Sequence, residues 1–237
     1  MPGPRRRSAL IARLVSEHPH SSQAAILDEL RRCLLDGEVP PGTPIPLDEV
    51  AAVFGVSVIP VRESLKTLIG EGLVEHRTNA GYAVAKLTIA ELREMYLVRE
   101  VLETAALTAA VASADESDDA RARAAHQALE DAILANDVRG YHRESRSFHL
   151  ALVRSCGMQR LLKMLESAWN VTEPVRPMAH VAESERETLH LDHNEMLTAF
   201  VARDTVALLR AAGTHHGRLR SSLAGLPTDT GLFADPE

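Results

Sequence analysis

The stretch that decides the fold is Ile45–Val84, IPLDEVAAVFGVSVIPVRESLKTLIGEGLVEHRTNAGYAV. Val50, Ala51 and Phe54 recur at helical spacing. Gly55 stops that helix, because glycine enters the left-handed conformation of a tight turn without steric cost. Ser57 stands where a hydroxyl caps the next helix, and Pro60 lies in its first turn, where a missing N–H removes no helical bond. Val61, Leu65 and Leu68 then form an apolar stripe, with Arg62 and Lys66 projecting four residues apart from the same segment. Gly70 and Gly72 end the helix. Leu73 and Val74 start a strand, Asn79–Gly81 makes a tight turn, and Tyr82 and Val84 start the return strand. Two helices joined by a glycine turn, the second bearing cations, suit the major groove of DNA. A purely structural helical hairpin gives the same bare pattern.

Working outward, Ser22 caps a helix through about Asp36 with Ile26, Leu30 and Leu34 on one face, and Pro40, Pro41 and Gly42 turn the chain into the motif. Beyond the wing, Thr88 and Glu91 spell a capping box for a long helix to about Ala114, carrying Leu92, Met95, Val98 and Leu102. The acidic stretch Asp115–Asp119 separates it from a helix through about Asn136. Asp137 caps the next, through Cys156, stopped by Gly157. A helix from about Met158 runs to Pro174. Ser184 and Glu187 read as a second capping box for a helix to about Ala202, and Asp204 caps a last helix to about Leu223. The predicted fold is mainly α: a basic extension over 1–21, a winged helix-turn-helix with a small β-wing over 22–86, an all-helical bundle over 87–225, and a flexible tail over 226–237.

The chain has 237 residues, enough for two cores, and is 45% hydrophobic but only 3% aromatic. No run of about 18 apolar residues occurs, so no membrane span is expected. The start, MPGPRRRSALIARLV, is basic and then apolar, without the longer apolar run and cleavage site of a signal peptide. It reads as an extension that meets DNA phosphates, or as a solvated tail. Cys33 and Cys156 fall in separate helical segments and fit reduced thiols in a cytoplasm. The net charge of −7 lies beyond residue 86, so any DNA contact must come from a local cationic cluster.

Most of the 11 histidines also lie beyond residue 86. His149, His193 and His215 each sit on a helix among apolar neighbours, Phe148 and Leu152, Leu189 and Leu197, and Leu208 and Leu219 respectively. Three imidazoles from three helices can converge on a divalent metal inside a bundle. Surface or hydrogen-bonded core histidines give the same spacing.

The segment GVSVIPVRESLKTLIGEGLVEHRTNAGYAVA, with LLDGEVPPGTPI before it, resembles the winged-helix signature of the GntR family of bacterial transcription regulators. The segments MYLVREVLETAALTAAV, SFHLALVRSCG, DHNEMLTAFVARD and VALLRAAGTHHGRL resemble the FCD ligand-binding domain of that family's FadR-type branch. The resemblance implies DNA contacts from Ser57, Arg62, Lys66, Arg77, Asn79 and Gly81. It also departs from the family, which has arginine where Asp48, Val58 and Ala80 stand. The resemblance further implies a divalent metal, zinc or else nickel or another transition ion, on His149, His193 and His215. The family's aspartate ligand maps to Ser145, a neutral and poor donor. His190 and His216 are nearby spares. Arg99 maps to the arginine turned towards the effector, and otherwise pairs at the surface with Glu103.

The expectation is thus a homodimeric, cytoplasmic repressor reading an inverted-repeat operator in double-stranded DNA, controlled by an organic or sugar acid. Two alternatives stand: a metal-free regulator whose histidines touch the effector directly, and a three-histidine zinc hydrolase.

Overall fold

The computed structural model describes residues 8–16, 21–37, 39–226 and 231–234. Arg5, Arg6 and Arg7 of the basic extension, and part of the expected tail, lie outside the described residues. The chain divides into two compact units, one within Met1–Glu91 and Asn170–Val175, the other within Leu92–Trp169 and Arg176–Pro227.

In the first unit, α1 (Gln23–Leu35) starts where Ser22 accepts a hydrogen bond from the Ala25 N–H at 3.2 Å, and it buries Ile26, Leu30 and Leu34. Helix α2 (Leu47–Phe54) ends on Gly55, whose φ of 63° is the left-handed cap expected of glycine. Helix α3 spans Val58–Gly70 and buries Val61, Leu65 and Leu68. Ser57 does precede it, but its hydroxyl makes no capping hydrogen bond. Strands β2 (Val74–Arg77) and β3 (Gly81–Val84) pair antiparallel across a turn in which Asn79 and Gly81 have φ of 65° and 84°. A further strand, β1 (Pro44–Ile45), pairs with β3 on its other edge, Ile45 opposite Tyr82. The Pro40–Gly42 punctuation hides it in the sequence. Phe54, Leu65, Leu68, Leu73 and Val84 close one core with α1. Fully burying one such side chain stabilises by roughly 1.5–3 kcal/mol.

Helix α4 (Ile89–Ser113) opens on the predicted box: the Thr88 N–H donates to Glu91 at 2.7 Å, and the Glu91 N–H donates to the Thr88 hydroxyl at 3.1 Å. Its buried face differs from the expected stripe. Leu92, Tyr96, Arg99, Glu103, Ala106 and Leu107 point inward, whereas Val98 is 36% exposed. An otherwise apolar stripe therefore runs through two charged side chains. The acidic stretch does not lie between helices. Asp115 caps α5 (Glu116–Leu134) through a complete capping box with Asp118, and the remaining acids occupy its first turn, where the helix dipole favours them.

Asp137 caps α6 (Val138–Val153), which passes through a 3-10 turn, Arg154–Cys156, to Gly157. Helix α7 (Gln159–Thr172) stops before Pro174. Helix α8 spans Glu183–Val201 with Ala182 at its cap and no side-chain capping bond, so Ser184 and Glu187 form no box. The helix starts two residues earlier, its cap at Ala182 instead of Ser184, and Ser184 lies inside it. Helix α9 (Thr205–Ala224) is capped by Asp204. Helix α5 packs along α6, and α8 along α9. The core holds Leu107, Phe148, Leu152, Trp169, Met196 and Phe200. Both cysteines are buried free thiols, and no helix among the described residues is long and apolar enough to cross a membrane.

Candidate functional site

Two surfaces carry the chemistry read from the sequence. On α3, Arg62 and Lys66 are exposed, and Ile59, 66% exposed, continues the same face at i, i+3 and i+7. The apolar member of this face is absent from the residues singled out above, although its spacing places it there. Lys66 pairs with Glu63 at 2.8 Å, and Arg77 on β2 pairs with Glu75 at 2.8 Å. Exposed pairs of this kind contribute at most about 1 kcal/mol, so phosphate oxygens can replace the carboxylates. Asn79 and Ala80 are exposed at the wing turn, Gly81 shapes its exit, and Asp48 is exposed in the first turn of α2.

The second surface begins inside the helical unit. His149 on α6, His193 on α8 and His215 on α9 come together, with one potential ligand atom from each lying within 4.8 Å of the others. The Nε2 atoms of His149 and His193 are 3.1 Å apart. Two nitrogens bound to one tetrahedral zinc at about 2.1 Å would be roughly 3.4 Å apart. The three rings are 2%, 0% and 3% exposed. Burial, then repulsion from His215 and His149, pushes the His193 imidazole well below its ordinary pKa, and burial lowers His215 despite the nearby Asp192 carboxylate. Both are therefore neutral near pH 7, the form that offers a lone pair. The donor set and its protonation fit a divalent transition ion.

Two carboxylates behind these rings escaped the sequence reading. Glu103 is fully buried and contacts Nδ1 of His149 through one oxygen; its other oxygen lies 3.7 Å from Nε2 of His216. Burial raises the Glu103 carboxyl, but the adjoining His149 imidazole, together with His216 and Arg99, outweighs it and holds the pKa down to about 2. Asp192, 2% exposed, approaches Nδ1 of His215 at 3.7 Å and pairs with Arg218 through its other oxygen. Burial pushes His216 down to about 4, against the attraction of Glu103. His190 instead stacks on His126 with ring centroids 4.9 Å apart.

A narrow cleft opens onto this centre, lined by Tyr96, Arg99, Ser145, His149, Trp169 and His215 among others. Ser145 stands one turn before His149 and puts a neutral hydroxyl on the wall. Arg99 is not a surface residue. It is 4% exposed, with its guanidinium carbon 3.1 Å from the Trp169 ring centroid and 4.3 Å from that of Tyr96. The alternative of a surface pair with Glu103 is thereby corrected, since both residues are buried and the Glu103 carboxylate contacts His149.

Comparison with known proteins bears on both surfaces. The model of the gntR family of bacterial regulatory proteins matches residues 22–84, and that of the FCD domain matches residues 94–218. The HTH-type transcriptional repressor RspR of Escherichia coli K12 is 27% identical over 194 residues, 82% of this chain and 85% of that protein. The repressor GlaR of the same organism is 25% identical over 184 residues, 74% and 84% of the respective chains. The crystal structure of a GntR regulator from Rhodococcus sp. RHA1 superposes with a TM-score of 0.77 at 25% identity, over 86% of this chain and 97% of that one. McbR/YncC of E. coli gives 0.76 at 22% identity over 86% and 97%, a likeness of fold.

Proposed function

This chain belongs to the GntR family of bacterial regulatory proteins and carries an FCD domain, and from that premise we propose a repressor whose operator binding is set by a small carboxylic acid bound in the helical unit. Its relatives are transcription regulators, not enzymes. Helix α3 enters the major groove, with Arg62 at a guanine edge and Ile59 against a thymine methyl, the pairings their chemistry favours. Lys66, Arg77 and Asn79 take phosphates, Gly81 lets the wing turn approach the backbone, and Ser57 starts the reading helix at the groove. A two-fold homodimer presents two such helices to an inverted repeat.

The observation that carries the effector half of this reading is the buried histidine centre at one side of a cleft that also holds Arg99. His149, His193 and His215 would hold a divalent ion, zinc or nickel being the natural choices for imidazole donors. When bound, such an ion offers open coordination positions to a carboxylate oxygen. Arg99, held against Trp169 and Tyr96 on the cleft wall, would pair its guanidinium with the carboxylate. Effector binding then biases the population of DNA-competent dimers.

The test is elemental analysis of untagged protein purified without chelator, beside a His149→Ala/His193→Ala variant. About one ion per chain, lost in the variant, supports the reading. The 3.1 Å contact between His149 and His193 also favours a second reading, an N–H···N hydrogen bond in a regulator that needs no ion. Protein that neither carries nor takes up zinc or nickel would select it.

A further inference from the structure

Three imidazole donors bring no negative charge to a dication, and Ser145 on the cleft wall brings none either. We infer that the compensating charge comes from behind the rings, from Glu103 on α4 and secondarily from Asp192 on α8. This rests on the metal reading of the histidine centre proposed above.

The placement of the two carboxylates is what carries it. Each is buried, and each faces the Nδ1 of a different imidazole: Glu103 contacts that of His149, and Asp192 lies 3.7 Å from that of His215. A carboxylate on one ring nitrogen fixes which nitrogen carries the proton, orients the ring and strengthens the opposite nitrogen as a donor. In His149 that opposite nitrogen is Nε2, which faces His193. The charge is thus delivered through the ring, one imidazole away from the ion.

The two carboxylates are unequal. Asp192 already shares its charge with Arg218, whose side chain is 47% exposed. Glu103 is fully enclosed, and its second oxygen has no hydrogen-bond partner while lying 3.7 Å from the His216 ring. Glu103 is therefore the principal positioning residue, with Asp192 subordinate to it.

A competing role gives the opposite sign. A Glu103 that merely paired with a charged His149 would stabilise the ring's proton against the ion. Its removal would then leave metal binding unchanged or make it tighter.

The experiment is a competition titration of zinc, and separately of nickel, against a chromogenic chelator at fixed pH. It uses full-length wild type, Glu103→Gln, Asp192→Asn, Ser145→Asp and the Glu103→Gln/Ser145→Asp pair. We expect Glu103→Gln to weaken binding by about 10–100-fold, the usual effect of removing such a ligand's partner, and Asp192→Asn to weaken it by less. Ser145→Asp in the Glu103→Gln background should restore much of the loss, which a merely structural defect would not permit. Glu103→Gln protein that binds as tightly as wild type overturns the inference and leaves the metal reading standing. Wild-type protein that takes up neither ion overturns the metal reading and this inference with it. If Glu103→Gln does not fold, as judged by circular dichroism, Asp192→Asn and Glu103→Asp decide: an unchanged affinity in both overturns the proposal, and a loss in either supports it.

Discussion

Arg99 lies against the face of Trp169, its guanidinium carbon 3.1 Å from the ring centroid. Trp169 is the only tryptophan in the chain, so the residue that covers the cation also reports on it. Carboxylate entering the cleft should change Trp169 emission, and Arg99→Ala should abolish that change together with effector-induced release of DNA. Arg99→Lys should recover neither fully, because an ammonium lacks the planar fork. Release that survives Arg99→Ala would remove Arg99 as the anchor.

On the DNA-binding helix, Arg62→Ala is expected to weaken operator binding by about 1–3 kcal/mol and to relax the preference for guanine at one position per half-site. Ile59→Ala should leave binding to non-operator DNA unchanged while reducing discrimination for thymine at the neighbouring position. Gel-shift titrations against single-base operator variants read both effects. An unchanged affinity in Arg62→Ala would assign recognition to other residues of the face.

The helical unit exposes Leu97 and Val101, 52% and 60% accessible, one turn apart on α4. Two such residues on a face that also includes Val98 suit burial against a second copy. Val101→Glu should shift the protein from dimer towards monomer in sedimentation and weaken binding to an inverted repeat far more than to a half-site. A dimer that persists in Val101→Glu would place the interface elsewhere.

Stability should fall on mild acidification. Burial lowers the folded-state pKa of both His126 and His190, and the proximity of His126 lowers His190 further. The unfolded chain therefore binds more protons than the folded one as pH drops through the ordinary histidine value of about 6.5. Folding loses free energy from that pH downward until the folded rings also titrate, and is insensitive to these groups above it. Thermal midpoints in chelator should be level above neutrality and decline below about 6.5. His126→Gln/His190→Gln should flatten part of the decline, the remainder belonging to His193, His215 and His216, which shift in the same direction. An unaltered slope in the double variant would show that the stacked pair does not contribute.

What the sequence made legible was local. Ser22, Thr88 with Glu91, Asp137 and Asp204 mark their helix starts because each cap bonds to backbone within three residues. The same logic fails at Ser57, whose hydroxyl makes no cap bond, and at Ser184, which lies inside α8. The three histidines could be read because each sits among apolar neighbours on its own helix. Their partners could not. Glu103 and His149 are 46 positions apart, and a glutamate within a helical pattern resembles a solvated residue until packing encloses it. Leu92 and Leu102 do pack towards the core, but Val98 looked like part of the same inward stripe of α4 and is exposed, because the helix faces inward through Tyr96, Arg99 and Glu103.

The ion pairs Lys66–Glu63 and Arg77–Glu75 bear on how such a protein searches a genome. A cation that already has a carboxylate beside it displaces fewer condensed counterions when it meets a phosphate, so under the proposed docking the sequence-independent part of binding would be small and its salt dependence shallow. Random DNA then holds the protein briefly, and residence accumulates where base edges match. In the proposed docking Glu63 and Glu75 would act as brakes on indiscriminate adhesion. Replacing them with glutamine would trade a faster, stickier search for poorer occupancy of the true site.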